Sequence, residues 1–430
     1  MKELEHLKRL SAVRSNAGLR FLSPAACPGS HCPMHTALVT ARSIRGLSSL
    51  VVGMPECATY SRFVIPGPEG KQGELHWMYV LDADEVIFGC RAGLVEALRK
   101  TAAAGARYLM IIATCVPELI GEDMDGILRE AGEIPARLAF VFMGHFTCNS
   151  YPQGYWKTFA ALGSFMEAKK REARRVNVLG PGPGEKQAMP GLLCLLERQG
   201  FRLRFLGQGS SLEDFLEAPD AVLNLVLSPL TGPLALTMED RFGIPWVGLH
   251  DVYGIAAIDR AYDAIAEKLE SAWGDAFREE RQKACAWQER LAGRLKGLGA
   301  VFAPMGTLMP LPLAVYLAGL GLRPLLLHIE EFYPADTGYA QELQALGFDP
   351  PVCHMANYRR DMALVEGMSP ALCLGQLPGL PPRQAPGKGK IPSVPGIQTL
   401  SAQFGYERIC RLGEMVLKVP PPARRPDQGE

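Results

Sequence analysis

The chain has no surplus charge of either sign: 45 lysines and arginines face 45 aspartates and glutamates in 430 residues. Binding to nucleic acid or to an anionic membrane surface draws on a basic surplus, so neither is expected as a general property. A long apolar helix is also missing. The longest uncharged stretch, Gly297 to Leu322, is interrupted by Pro304, Pro310 and Pro312 and holds five glycines. It predicts a buried strand, turn and helix rather than a membrane span. Residues 1–20 carry charges throughout, without the apolar core of about 7 to 15 residues that a secretory signal needs. Eleven cysteines in such a chain point to a reducing, cytoplasmic compartment, where they serve as thiols, metal ligands or nucleophiles more than as disulfides.

Two motifs are missing as well. No G-x-x-x-x-G-K-[ST] occurs; Gly180-Pro-Gly-Pro-Gly-Glu-Lys-Gln187 comes nearest, but its prolines remove backbone donors that a phosphate cradle needs. It reads as a strand-to-helix turn, and any ATP hydrolysis falls to another subunit. No C-x-x-C pair occurs either, which removes the usual zinc-finger spacing.

What is present is a recurring apolar run, a turn, then an amphipathic stretch. Arg107–Thr114, Leu138–Met143, Arg175–Gly180, Ala221–Leu227, Ile244–Leu249, Ala300–Ala303, Leu325–His328 and Ala371–Leu374 read as strands. Their continuous apolarity is what parallel strands covered on both faces require. Helical periodicity follows at Pro190–Gln199 and Ile258–Trp273. The pattern predicts an α/β fold with mostly parallel sheets in three doubly wound units, near residues 25–172, 173–275 and 296–418. Residues 1–24 read as an extension, 276–295 as a helical connection, Pro378–Pro395 as a loop and 419–430 as a disordered tail.

Six cysteines (Cys148, Cys194, Cys285, Cys353, Cys373 and Cys410) stand singly and read as small buried hydrophobes. Cys27, Cys32, Cys57, Cys90 and Cys115 crowd the first 115 residues, several at turns beside Gly or Pro. Thiolates on separated loops of this kind can meet on an iron–sulfur cluster, with zinc as the rival. Among histidines, His31 and His35 flank Cys32, and His76 precedes the Val86-Ile-Phe-Gly strand. His145, His250 with Asp251, and His328 with Glu330 follow predicted strand ends, where such sheets hold ligands. These are candidate catalytic proton donors.

Several segments resemble one family. Cys32 and Gly53-Met-Pro-Glu-Cys57 with Tyr60-Ser-Arg62 resemble the first two cluster cysteines and the G-P-x-x-C turn of nitrogenase component 1. That family takes in the molybdenum–iron protein subunits, their cofactor-assembly scaffold and the related tetrapyrrole reductases. Glu85–Cys90 resembles its V-F-G-G segment, and Thr114-Cys-Val-Pro-Glu-Leu-Ile-Gly-Glu-Asp123 its T-T-C-x-x-E-x-I-G-D-D motif. Leu223–Val226, Arg241–Trp246 and Gly405–Glu414 resemble later family segments, in the right order.

The resemblance implies three Rossmann-like domains, with Cys32, Cys57 and Cys115 as ligands of a [4Fe-4S] or larger cluster shared at a subunit interface. Cys27 and Cys90 are possible further ligands. It also implies a homologous component 1 subunit as partner and an ATP-dependent [4Fe-4S] reductase as electron source. The expected role is an electron-transfer subunit of a nitrogenase-like oxidoreductase acting on a tetrapyrrole or a sulfur-containing organic molecule, with a non-catalytic assembly scaffold as the alternative. No thiol stands near Leu227-Ser-Pro-Leu230 and no histidine follows His354, so no nitrogenase-type iron–molybdenum cofactor is expected.

Overall fold

In the computed structural model the described residues are 4–23, 32–65, 67–144, 150–181, 191–376, 391–394 and 396–420. The chain is α/β with mostly parallel sheets, as its alternating pattern predicts, and it divides into two compact units. One is His31–Gly248; the other joins Met1–Ser30 to Leu249–Glu430. The described strands are β1 (Lys8–Arg9), β2 (Ser48–Gly53), β3 (His76–Val80), β4 (Tyr108–Ala113), β5 (Arg137–Phe142), β6 (Arg175–Gly180) and β7 (Arg202–Gly207). They continue with β8 (Leu223–Val226), β9 (Trp246–Gly248), β10 (Gly299–Phe302), β11 (Arg323–His328), β12 (Pro351–Cys353), β13 (Leu372–Leu374) and β14 (Ser393–Val394).

The unit His31–Gly248 holds two parallel sheets in the orders β3-β2-β4-β5 and β7-β6-β8-β9. Strand residues alternate between two buried faces. Leu50, Val52, Leu109 and Ile111 join Leu94 and Leu98 in one cluster, while Val51, Met110 and Ile112 join Leu38 and Phe159 in another. Two-sided burial is why these strands show no polar face.

Helix starts set the candidate site. In α1 (Pro33–Ser43) and α2 (Pro55–Val64) a proline stands at the first position, where its missing N–H is no loss and its fixed φ suits the turn. The Val86-Ile-Phe-Gly stretch is not a strand. It belongs to the short helix α3 (Ala83–Phe88), opened by a capping box: Asp82 accepts the Glu85 N–H at 2.9 Å and Glu85 accepts the Asp82 N–H at 3.1 Å. The helix α4 (Arg91–Ala103) follows, and α5 (Cys115–Leu119) starts directly after β4.

The other unit carries one sheet, β1-β12-β11-β10-β13-β14, parallel except at β1. Residues 4–23 do more than extend the chain. Leu10, Val13 and Leu22 are fully buried, and Ser11 bonds both carboxylate oxygens of Asp349, through its N–H at 2.8 Å and its hydroxyl at 2.6 Å. Within the expected Pro-rich loop, Ser393 and Val394 pair with Cys373 and Leu374. A strand two residues long, with prolines at 392 and 395, leaves no periodic trace. Apart from Val419 and Pro420, the expected tail lies outside the described residues. Among the described residues no helix is long and apolar enough to cross a membrane.

Candidate iron–sulfur site

Cys32, Cys57 and Cys115 all stand at helix starts. Cys32 caps α1, Cys57 is the third residue of α2, and Cys115 is the first residue of α5. Free N–H groups at a helix start are donors that a sulfur ligand or cluster sulfide can use. All three side chains are half-buried. Burial pushes the Cys32 thiol up, and the negative charges available to Cys115 and Cys57 push it further, while the Met34 and His35 N–H groups draw it down. The three thiols therefore share one electrostatic neighbourhood.

The chain closes tightly around Cys57. Its thiol donates to Thr114 Oγ1 at 3.8 Å, and the Thr114 hydroxyl donates to the Val52 carbonyl at 2.9 Å. A Cβ on Gly53 would overlap Thr114 Oγ1 and stand 3.2 Å from Cys57 Sγ, so only glycine lets the end of β2 pass here. Among the described residues, no three His, Cys, Asp or Glu side chains converge on a single metal ion. Thiols within electrostatic reach of one another on separate helix starts suit a polynuclear cluster, in which each thiolate binds a different iron. The donor set fits an iron–sulfur cluster.

The remaining candidates are placed as follows. Cys27, His31 and His145 lie outside the described residues. Cys90 caps α4 in the core with Leu50, Val52 and Leu94. Burial and the neighbouring Glu122 carboxylate push its thiol up to about 12, which disfavours a thiolate. His35, lowered by burial, packs edge-on to Tyr60. His76 bonds the Ser49 hydroxyl through Nδ1 at 2.9 Å, and burial lowers it to about 4, so it is a neutral core residue.

His250, Asp251, His328 and Glu330 belong to the other unit. His328 ends β11 and accepts the Met355 N–H on Nδ1 at 2.9 Å, so its ring proton sits on Nε2. Its ring centroid is 5.0 Å from that of His354. His250 Nε2 lies 3.9 Å from Asp251 Oδ2, which also receives the Tyr339 hydroxyl at 2.7 Å.

Sequence reasoning passed over Arg408. It is 1 % exposed, stacks on Tyr253, and donates to the carbonyls of Gln403 at 2.6 Å, His250 at 2.9 Å and Val252 at 3.4 Å. An arginine on a helix usually reads as solvated, so no sequence signal singled it out. Arg408→Ala would strand buried carbonyls and is expected to cost about 3 kcal/mol, read as a shift in urea midpoint. An unchanged midpoint would remove Arg408 from the unit's core.

A profile of the family described as nitrogenase component 1 type oxidoreductase matches residues 32–419. The nitrogenase iron-molybdenum cofactor biosynthesis protein NifE of Rippkaea orientalis is 30% identical over 215 residues, 47% of this chain and 43% of that one. The nitrogenase molybdenum-iron protein beta chain of Methanothermobacter marburgensis is 26% identical over 179 residues, 39% of each chain. The chain thus spans about half the length, or less, of these curated relatives. Among solved structures, nitrogenase Cp1 at pH 6.5 superposes with a TM-score of 0.68 over 92% of this chain and 93% of that one. At 15% identity that likeness is one of fold. The resemblance carried by the motifs is borne out: the chain belongs to the nitrogenase component 1 type oxidoreductase family.

Proposed function

We propose that the chain is an iron–sulfur electron-transfer subunit of a nitrogenase-like oxidoreductase complex, with Cys32, Cys57 and Cys115 as thiolate ligands. The observation that carries this reading is a set of three helix-start thiols within electrostatic reach of one another, with exposed apolar side chains on α2, α3 and at α5. Tyr60 and Phe63 on α2, Ile87 and Phe88 on α3, and Leu119 and Ile120 at α5 are exposed, Phe63 to 84% and Phe88 to 83%. Exposed aromatics grouped in this way mark a surface meant for another protein.

Three thiolates leave a [4Fe-4S] cluster one ligand short, so a homologous component 1 subunit completes or shares the shell there. Bound there, such a cluster supplies a one-electron relay between a docked ATP-dependent [4Fe-4S] reductase and a substrate or second cofactor. The protein's own residues support that role: Cys32, Cys57 and Cys115 stand at the starts of α1, α2 and α5, and Gly53 with Thr114 confines the Cys57 side chain. His250 and His328 are the described candidates for proton donation, each with a partner that orients its ring or backbone.

A second reading, a scaffold on which a metal cluster matures, draws support from the similarity to NifE, which is named for cofactor biosynthesis. It uses the same thiols. Substrate turnover supports the first reading, and transfer of a cluster to an apo-enzyme supports the second.

The test is iron and acid-labile sulfide analysis, with electron paramagnetic resonance after dithionite, on protein purified without oxygen beside its partner. About four irons and four sulfides per cluster, with a reducible signal, are expected. Cys57→Ala should lose that signal almost entirely. Iron-free wild-type protein that stays folded with its partner would end both readings.

A further inference from the structure

One buried nitrogen beside the candidate cluster site has nothing to bond. It belongs to His35, the third residue of α1, while Cys32 caps that helix. At this spacing a side chain reaches back toward the cap. The His35 N–H meets the Cys32 carbonyl at 3.3 Å. On α2, Tyr60 lies three residues past Cys57, one turn along the same face. The His35 and Tyr60 rings pack edge to face, with centroids 5.8 Å apart. Next to them the Ser61 hydroxyl donates to the Cys57 carbonyl at 2.7 Å and lies 4.0 Å from Met34 Sδ. The imidazole therefore sits where the turns bearing Cys32 and Cys57 come together.

His35 Nε2 is shut away from water and meets no hydrogen-bond partner among the described residues. A ring nitrogen left bare in this way is costly, and a partner that arrives later removes the cost. The other described histidine of this unit, His76, has its partner in the Ser49 hydroxyl. Cluster sulfides and their thiolates are acceptors, and hydrogen bonds to them help set a cluster's reduction potential.

We propose that His35 donates a hydrogen bond from Nε2 to a sulfur of the cluster held by Cys32, Cys57 and Cys115, and so raises its reduction potential. This rests on the electron-transfer reading and adds to it the residue that tunes the relay. The sign follows from charge. Reduction brings one electron from the docked reductase; no bond breaks, and the proton stays on the imidazole. A donor aimed at sulfur stabilises the electron-rich form more than the oxidised one, so losing the donor favours the oxidised form.

Redox titration of the complex, purified without oxygen and followed by electron paramagnetic resonance, tests the role. His35→Phe keeps a ring against Tyr60 and removes both nitrogens. It should retain its iron and shift the balance toward the oxidised cluster roughly tenfold, a midpoint lower by about 59 mV for one electron. His35→Gln, with an N–H at comparable reach, should recover most of the shift. Isotope-labelled histidine nitrogen should couple weakly to the reduced cluster in the wild type and not in His35→Phe. An unshifted midpoint in iron-loaded His35→Phe, or an equal shift in His35→Gln, overturns the proposal. So does a wild-type cluster with no histidine coupling, or with the strong coupling of a direct ligand, and these decide the matter should His35→Phe fold poorly. Iron-free wild-type protein is a different failure: it ends the electron-transfer reading, and the tuning role with it.

Discussion

A Gly53→Ala variant purified without oxygen is expected to hold iron about 10- to 100-fold more weakly than the wild type, the range seen when a ligand's support is removed. The added methyl overlaps Thr114 Oγ1, so Thr114 must move, and it stands only 3.2 Å from Cys57 Sγ. Displacing Thr114 breaks its bond to the Val52 carbonyl and takes away the hydroxyl to which the Cys57 thiol donates, so the Cys57 side chain loses its support. Overpacking of this kind also lowers stability by about 1–3 kcal/mol. Gly67→Ala is the matched control: nothing lies within 4 Å of its would-be Cβ, and it should keep its iron and its urea midpoint. Full iron content in Gly53→Ala would show that Cys57 is not held as described.

The second large effect is a stability that falls as pH rises. Asp336 and Glu330 ordinarily titrate at 3.8 and 4.5 and are raised to about 7 in the folded chain. Between those values the folded state holds protons that the unfolded state has released. The stabilisation is therefore complete below about 4, is lost as pH climbs toward 7, and stays lost above. Raising a carboxyl that far is worth at most about 4 kcal/mol for Asp336, with somewhat less for Glu330. Asp336→Asn and Glu330→Gln should thus be more stable than the wild type at about pH 8 and no more stable at about pH 4. Urea midpoints at both pH values decide the matter. A variant that loses stability equally at both ends would mean that its carboxyl is held ionised.

Much of the architecture could be read from residues because burial on two faces leaves a plain mark. Tyr108–Ala113 and Arg175–Gly180 show it clearly. Strands carrying polar atoms with internal partners were hidden. β2 opens on Ser48, whose hydroxyl accepts the Leu75 N–H at 3.1 Å, and Ser49, which bonds His76. β7 carries Arg204, whose guanidinium is paired with buried Asp220 at its edge. Ile87 and Phe88 misled for the opposite reason: their apolarity belongs to an exposed helix, not to a buried strand.

The thiols of the candidate site were visible as residues, and the prolines after Cys32 and before Cys57 hinted at helix starts. The clearance that Gly53 provides, and the burial of Asp336, arise only when distant segments meet.

The pairing of β1 with β12 bears on how the protein comes into being. Arg9 bonds the Asp349 carbonyl across 340 positions of sequence, so a segment made early is among the last to find its place. At about 5–20 residues per second, roughly 17 to 70 seconds pass before Pro351–Cys353 can emerge to meet it. The continuous unit His31–Gly248 is synthesised whole in that interval. That unit can therefore fold while β1 still waits for its sheet edge, an unpaired strand whose exposed backbone must be kept from other partners until β12 arrives.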